Sequence, residues 1–531
     1  MSIRWASRSC GGGSRVCLKI CKFRNGRSSL VTSNKFVQFV GSVIAVVAIF
    51  ASPWLCEGVA ADDWPQFRGP NSTGIATSQK SLPTTFSLEE NLKWKVELGD
   101  GVGCPSIVAG RAFIGEMTKP DEVALTAFDA ASGRLLWRRS WPTGELPEVH
   151  MTNSQASTTP AADAERVYFY FSTLGMICVD AATGEDRWKA ELPVPYYVFK
   201  WGPGMSPAVH GDLVIFCQDD DLNPALYAFD KRTGKLRWKD ERNDMCAGYS
   251  HPVINRTNDG DELVVAGTGM LIGYDLETGK RKWFAKTLLR NIKTTPVCRD
   301  GIVYISLQSS GIANQWIASI DQKETGNRDG KVTKEELQAF VGKQRVPEAF
   351  YKKTFDRGDA NKDGALDGDE LDKAFLPPGN EAGARFGAKN PADEYVLAVR
   401  GGGNGDVTAT HVLWKHPTKH TDHIVSPLVS GDRMLLVKCG GIATCFSTKD
   451  GSPLWGPKRI DNGSDYFASP IAGDGKVYIA GENGYVVVLN DGPELDILGK
   501  NDVGGSIVGT PAIADGRIYV RTRDHLLCFG L

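Results

Sequence analysis

The sequence predicts an all-β fold, a closed propeller of eight four-stranded blades, with a small all-α module inserted in the fifth blade. Three observations carry this. A turn unit recurs along the chain as DAASGRLLW (129–137), DAATGEDRW (180–188), DKRTGKLRW (230–238) and DLETGKRKW (275–283), with a shortened copy TKDGSPLW (448–455). Eight prolines, most following Ser or Thr, each precede a β-branched or aromatic strand: Pro105, Pro160, Pro207, Pro252, Pro296, Pro427, Pro470 and Pro511. Neighbouring prolines lie 41 to 55 residues apart, except for one interval of 131 that holds an acidic, helix-flanked stretch. A period of about 40–50 residues is that of one propeller blade, so the long interval carries roughly 85–90 extra residues.

The turn unit has a physical meaning. An Asp side chain accepts from backbone N–H groups a few residues on, and Gly supplies positive φ. The turn therefore reverses one strand into the next, which carries the Trp. Repetition of such hairpins builds blades around a ring, and closure of the ring removes open strand edges.

At the N-terminus, residues 1–61 carry eight Lys or Arg and one acid, Glu57. Phe39 to Ala51 is a 13-residue apolar run, followed by Val59-Ala60-Ala61. The run suits the core of an export signal cleaved after Ala61 and is short for a membrane span. The remaining chain has 53 basic and 62 acidic residues, which argues against a nucleic-acid partner. Four of the twelve cysteines precede the expected cut, and the other eight are scattered, with no Cys-x-x-Cys. Most of these eight read as small apolar residues in strands.

The segment 62–91, opening on Trp64-Pro-Gln-Phe-Arg-Gly-Pro70, is expected to pack on the ring. Blades fill 92–314 and 391–531, and the inserted helical module with its linker occupies 315–390. Trp94 to Leu98 is a lone outer strand, while the last blade at the C-terminus lacks one. Pairing the two closes the ring.

The insertion contains the sharpest chemistry. Asp359 to Glu370 has the spacing of an EF-hand calcium loop. Asp359, Asn361 and Asp363 offer side-chain oxygens, Ala365 a carbonyl, Asp367 a water-bridged contact and Glu370 two oxygens; Gly364 permits the turn. A partner loop, Thr325 to Glu336, offers Asn327, Asp329, Lys331 through its carbonyl, Thr333 and Glu336, but has Thr325 where Asp is usual. Fewer carboxylates predict weaker binding or a purely structural role. Leu366 is the apolar residue placed to pair the two loops.

The Asp-x-x-Thr-Gly-x-x-x-Trp unit resembles the pyrroloquinoline-quinone (PQQ) repeat of eight-bladed quinoprotein propellers. The whole order, with its WPQFRGP opening, resembles exported bacterial PQQ-like propeller proteins. That resemblance implies a periplasmic or cell-envelope location and two functions. One is a calcium-binding scaffold that presents a ring face to an envelope protein or polymer, with calcium in the EF-hand insert and no stable membrane span after signal removal. The alternative is a PQQ-dependent dehydrogenase. Lys200, Trp201, Tyr249, His423 and Tyr466, with His251 and Lys293, fall on links converging on the central funnel and are the candidates for such a ligand. No adjacent cysteine pair of the quinoprotein alcohol dehydrogenases is present, no catalytic residue is assigned, and no Gly-x-Ser-x-Gly elbow occurs. Asp219-Asp220-Asp221 reads as a solvated hairpin rather than a second calcium site. His411, His416, His420 and His423, with Asp422, read as loop histidines rather than a metal site.

Overall fold

The computed structural model describes residues 63–78, 80–286, 292–307, 313–374, 395–418, 424–461 and 463–531. The expected signal segment and His420, Asp422 and His423 lie outside these. Eight antiparallel sheets follow one another in chain order, each with at least four strands in up-and-down order. In the first seven, the innermost strand is the earliest in the chain. The eighth takes Ala512–Ala514, Arg517–Arg521 and His525–Gly530 from the C-terminus and its outer strand, Leu92–Glu97, from the N-terminal side. The two ends of the described chain therefore share one blade.

The turn units fold as their residues require. The carboxylates of Asp129, Asp180, Asp230 and Asp275 accept from the N–H groups of Ser132, Thr183, Thr233 and Thr278 at 2.8–2.9 Å. Gly133, Gly184, Gly234 and Gly279 sit at φ between +67° and +74°. Each glycine has a second reason to lack a side chain: a Cβ there would fall within 2.7 Å of the indole of the preceding blade. That indole also donates through Nε1 to the carbonyl that follows the turn's Asp. Trp94 reaches Ala130, Trp137 reaches Ala181, Trp188 reaches Lys231 and Trp238 reaches Leu276, all at 3.0–3.1 Å. The repeat thus encodes both a turn and the joint between neighbouring blades. Trp283 departs from the pattern because the fifth blade has no such turn. It is fully buried and donates instead to Glu262 at 2.8 Å.

The eight prolines begin the inner strands, and the residue before each one stands on a ring around the axis. Seven backbone N–H groups of this ring donate to the side chain of the next member. Cys104 donates to Thr159, Thr159 to Ser206, His251 to Thr295, Thr295 to Ser426, Ser426 to Ser469, Ser469 to Thr510, and Thr510 to the sulfur of Cys104, all at 2.9–3.1 Å. Ser206 N–H faces the His251 ring without closing a hydrogen bond of good geometry. Proline holds the preceding residue extended and contributes no N–H of its own.

The N-terminal segment crosses the other end of the inner strands. Trp64 bridges Ile107, Pro65 accepts from Ala162, Gln66 from Val209, and Asn71 exchanges two bonds with Ile254. Arg68 donates to Pro427 at 2.6 Å, and Ala76 pairs with Ala472. One stretch therefore ties six blades together, and Phe67 reaches the axis.

The fifth sheet pairs Ile302–Leu307 with Tyr395–Arg400, and residues 308–394 lie between these strands in the chain. Beyond Arg400, Gly405–Asp406 adds a short parallel strand to the fourth sheet, and Gly402 N–H donates to Glu262 at 3.0 Å. The stretch 401–406 is thus hairpin structure, as its glycines imply. Among the described residues all eight cysteines are free, and burial pushes the Cys104, Cys178 and Cys217 thiols up.

Thr295→Val keeps the shape but leaves the buried His251 N–H without its acceptor. Its expected cost is about 1–3 kcal/mol. The exposed Thr278→Val is expected to stay within roughly 0.5 kcal/mol of the native chain. Chemical denaturation of both variants checks this.

Candidate calcium module and central cavity

Two helix–loop–helix units make the insert. Helices Ala313–Ile320 and Lys334–Val341 flank the first loop, and a helical stretch Glu348–Gly358 and helix Gly368–Ala374 flank the second. The loops pair as a two-residue antiparallel ribbon, Val332 opposite Leu366 and Thr333 opposite Ala365. Gly330 and Gly364, sixth in each loop, sit at φ +84° and +85° and make the sharp turn.

In the second loop, carboxylate oxygens of Asp359, Asp363 and Glu370 lie within 4.8 Å of one another. Backbone N–H groups hold them in place. Gly364 donates to Asp359 at 3.0 Å, Ala365 to Asp363 at 3.0 Å, and Ala360 and Asn361 to Glu370 at 3.0 and 3.2 Å. Asn361 accepts from Asp363 N–H at 2.8 Å. Asp367 caps the last helix, accepting from Glu370 N–H at 3.0 Å. The Lys331 ammonium, reaching from the other loop, bonds Asp363 and lowers that carboxyl's pKa. A cluster of hard oxygen donors of this kind fits calcium.

The first loop differs from its twelve-residue count. Thr325 turns away and donates to Ile320 O. Its place is taken by Asp321 at the end of the preceding helix, which accepts from Gly330 N–H at 2.7 Å and from Arg328 N–H. That is the role Asp359 has toward Gly364. Glu336 accepts from Asn327 N–H at 3.2 Å and from Thr333 N–H at 2.9 Å, while Asn327 Nδ2 donates to Asp329 at 3.1 Å. Counting from Gly330 misses Asp321 because residues 322–325 bulge out of the motif. Among the described residues no second trio of acidic, His or Cys groups gathers as closely as the second loop's.

The apolar groove of the module is filled by the propeller. Tyr196, Val198 and Phe199, on the link between the second and third blades, join Leu337, Val341, Phe350, Phe355 and Leu371 in one core. Tyr196 lies 5.3 Å from Phe350, and Phe199 meets Phe340 edge-on at 6.0 Å. Lys353 donates to Leu222 O at 3.0 Å.

The triple Asp holds this seat and is not a solvated hairpin: all three residues are buried. Asp219 receives two parallel bonds from the buried Arg242 at 2.7 Å. Asp220 accepts from Tyr196 and Asn223 N–H, both at 2.9 Å, and Asp221 from Val198 N–H at 3.0 Å. Buried carboxylates survive only with such partners. Burial, with the Asp221 charge adding to it, still pushes the Asp220 carboxyl up to about 6.

The other sequence candidates spread over the same face. Lys200 pairs with Glu148 at 2.8 Å. Trp201 is 39% exposed, stacks near His150 at 4.5 Å and lies under the Lys293 ammonium at 5.2 Å. Tyr249, packed on Tyr197, lines the central cavity, as do His251 and Lys293. Tyr466 does not line it: its hydroxyl donates to Asp461 at 3.2 Å. His416 lies 5.5 Å from Phe446 with the rings tilted and His411 meets Thr410, so these two do not converge. The cavity holds about 140 Å³, and its described lining has no carboxylate.

Residues 120–352 match the family model described as outer membrane protein assembly factor BamB, and residues 352–376 match the EF hand. BamB from Moraxella catarrhalis superposes with a TM-score of 0.50 at 13% identity, over 83% of this chain and 97% of that one. A europium-containing methanol dehydrogenase gives 0.47 at 12% identity, over 89% and 98%. A curated relative, the 1-butanol dehydrogenase (quinone) of Thauera butanivorans, is 28% identical over 131 residues, or 22% of this chain. The match spans only 20% of that relative's length. At 13% identity the BamB structure speaks for the propeller fold alone, and the family models add PQQ-like repeats and an EF-hand.

Asp220's raised pKa gives a signed prediction. Folding favours its neutral form, so its contribution is fully present below the unfolded value of 3.8 and is lost as pH rises through about 6. Relative to Asp220→Asn, which stays neutral, the native chain is expected to lose up to about 3 kcal/mol between pH 4 and pH 7. Paired denaturation curves across that range measure it.

Proposed function

We propose that this PQQ-repeat propeller with its EF-hand module is a calcium-binding scaffold of the cell envelope that presents one ring face to a protein or polymer partner. The observation that carries the reading is the seat of the module. Its apolar groove, which a calcium sensor would keep for an outside target, is occupied by Tyr196, Val198 and Phe199 of the same chain. Calcium here orders a fixed part of the face. Asp359, Asn361, Asp363, Asp367 and Glu370, with the Ala365 carbonyl, would hold the ion in the second loop. Asp321, Asn327, Asp329, Thr333 and Glu336, with the Lys331 carbonyl, would hold a weaker one in the first. Bound there, the ion would supply positive charge to these oxygens, one of which, on Asp363, now pairs with the Lys331 ammonium.

Beside the module the same face exposes Met151, Val194 and Trp201, at 85%, 50% and 39%. Exposed apolar side chains gathered on one face mark an interaction site. The BamB likeness supports an envelope partner, and no helix among the described residues is long and apolar enough to cross a membrane. The dehydrogenase reading draws on the quinone-dependent curated relative, while no carboxylate stands among the described residues that line the central cavity.

Calcium titration by calorimetry tests the sites. Glu370→Gln and Asp359→Ala are each expected to weaken the tighter site by roughly 10–100-fold. Asp321→Asn is expected to weaken only the second, lower-affinity event, whereas Thr325→Val leaves it unchanged. Equal isotherms for native and Glu370→Gln protein would refute the assignment.

The face is tested by cross-linking in envelope preparations with and without calcium. Capture of a defined partner is expected to fall at least about tenfold in Trp201→Glu and Met151→Glu. PQQ-dependent reduction of a dye by the native chain would instead establish the dehydrogenase.

A further inference from the structure

The central cavity is built of hydrogen-bond donors and has no use in the calcium-dependent reading. Its wall has two tiers, one pair of positions per blade. The lower tier is the ring of residues that precede the prolines: Thr159, Ser206, Thr295, Ser426, Ser469 and Thr510, with Cys104 and His251. Each of the six hydroxyl oxygens is already an acceptor, either from the N–H of the preceding ring member or, for Thr159, from Cys104 N–H. A hydroxyl carries one hydrogen and two lone pairs, so each still has a hydrogen to donate, and those of Thr159 and Thr510 also reach the Cys104 sulfur. No carboxylate stands among the described lining residues to receive them.

His251 breaks the ring. It is 3% exposed, it lines the cavity, and neither ring nitrogen makes a hydrogen bond of good geometry. Behind it, on the segment that closes the channel, Arg68 is fully buried. Its Nη2 donates to Pro427 O, but Nε and Nη1 have no partner and no carboxylate neutralises it. Burial and the Arg68 charge push the imidazole pKa down to about 3, so it stays neutral with one N–H to donate. On the upper tier Lys293 brings a second cation to the rim. A buried guanidinium with two unused donors costs several kcal/mol unless something pairs with it.

The geometry points to a binding site for one small inorganic oxyanion on the propeller axis, held by the hydroxyl ring and His251 between the charges of Arg68 and Lys293. The cavity of about 140 Å³ sets the size. A space of this size takes several waters or one compact ion such as phosphate or sulfate. Hydroxyls arranged around an axis favour a compact, multiply accepting ion over a ligand with an apolar body. The site is separate from the calcium loops and does not depend on them.

The test is calorimetric titration of the full chain at pH 7.5, calcium chelated, with inorganic phosphate, sulfate, chloride and acetate in turn. The expected result is saturable binding of one phosphate or sulfate per chain, with acetate and chloride weaker. Arg68→Met and Lys293→Met are each expected to weaken phosphate by about tenfold or more. Unchanged calcium affinity in each variant certifies its fold. Lys293, on the half-exposed rim, keeps the test valid if Arg68→Met does not fold. No saturable heat with any anion would overturn the proposal. So would equal affinity in native and Lys293→Met protein, which would mean an adventitious ion only.

Discussion

The backbone N–H of the residue before each inner-strand proline has one place to go, and the whole ring depends on it. Proline cannot donate, so the inner strand opens without a bond of its own at that point. The preceding residue, held extended, donates sideways to its neighbour's side chain in seven of the eight positions. Each link spans two blades that are 41 or more residues apart in the chain, so the circle closes only when all blades are present. A second set of joints runs outside it, where Trp94, Trp137, Trp188, Trp238 and Trp414 each cap the glycine turn of the next blade. The inner circle fixes the axis and the outer joints fix the angle between blades.

The calcium module depends on that frame through one short strap. Residues 196–199 leave the second blade, fill the module's groove and are held from below by Asp220 and Asp221, beside the Asp219–Arg242 pair. Three adjacent buried acids are costly, and they persist because Arg242 and backbone N–H groups receive them. The arrangement joins the module to the propeller through one apolar core. Lys200 and Trp201, which follow the strap, are held instead by His150, whose N–H donates to Lys200 O at 2.7 Å, and by Asn153, whose Nδ2 donates to Trp201 O at 2.6 Å.

Much of this was legible in the sequence. The turn unit announces the blades because Asp, Gly and Trp each perform a separate task that no other residue does as well. The orphan strand at Trp94 and the unfinished last blade imply each other. The second calcium loop is legible because its ligands are consecutive. What was not legible came from contacts between distant segments. The triple Asp looks solvated until Arg242 and the strap arrive over it. Asp321 hides because four extra residues displace it from the motif, although an acid just upstream of a loop with Thr in first place was a signal. The ring was half visible: its prolines were counted, but the partner of each preceding residue lies in the next blade. Tyr466 sits on a converging link yet turns to Asp461, since link position does not fix side-chain direction.

The central claim is that calcium orders a face already joined to the propeller through residues 194–201. Hydrogen–deuterium exchange of that strap, in native protein and in Glu370→Gln, each with and without calcium, tests it most directly. The account predicts slower exchange of the strap when calcium is added to the native chain, and no change in the variant. Exchange that is indifferent to calcium in the native chain would contradict it, because the module would then be seated without shaping the face.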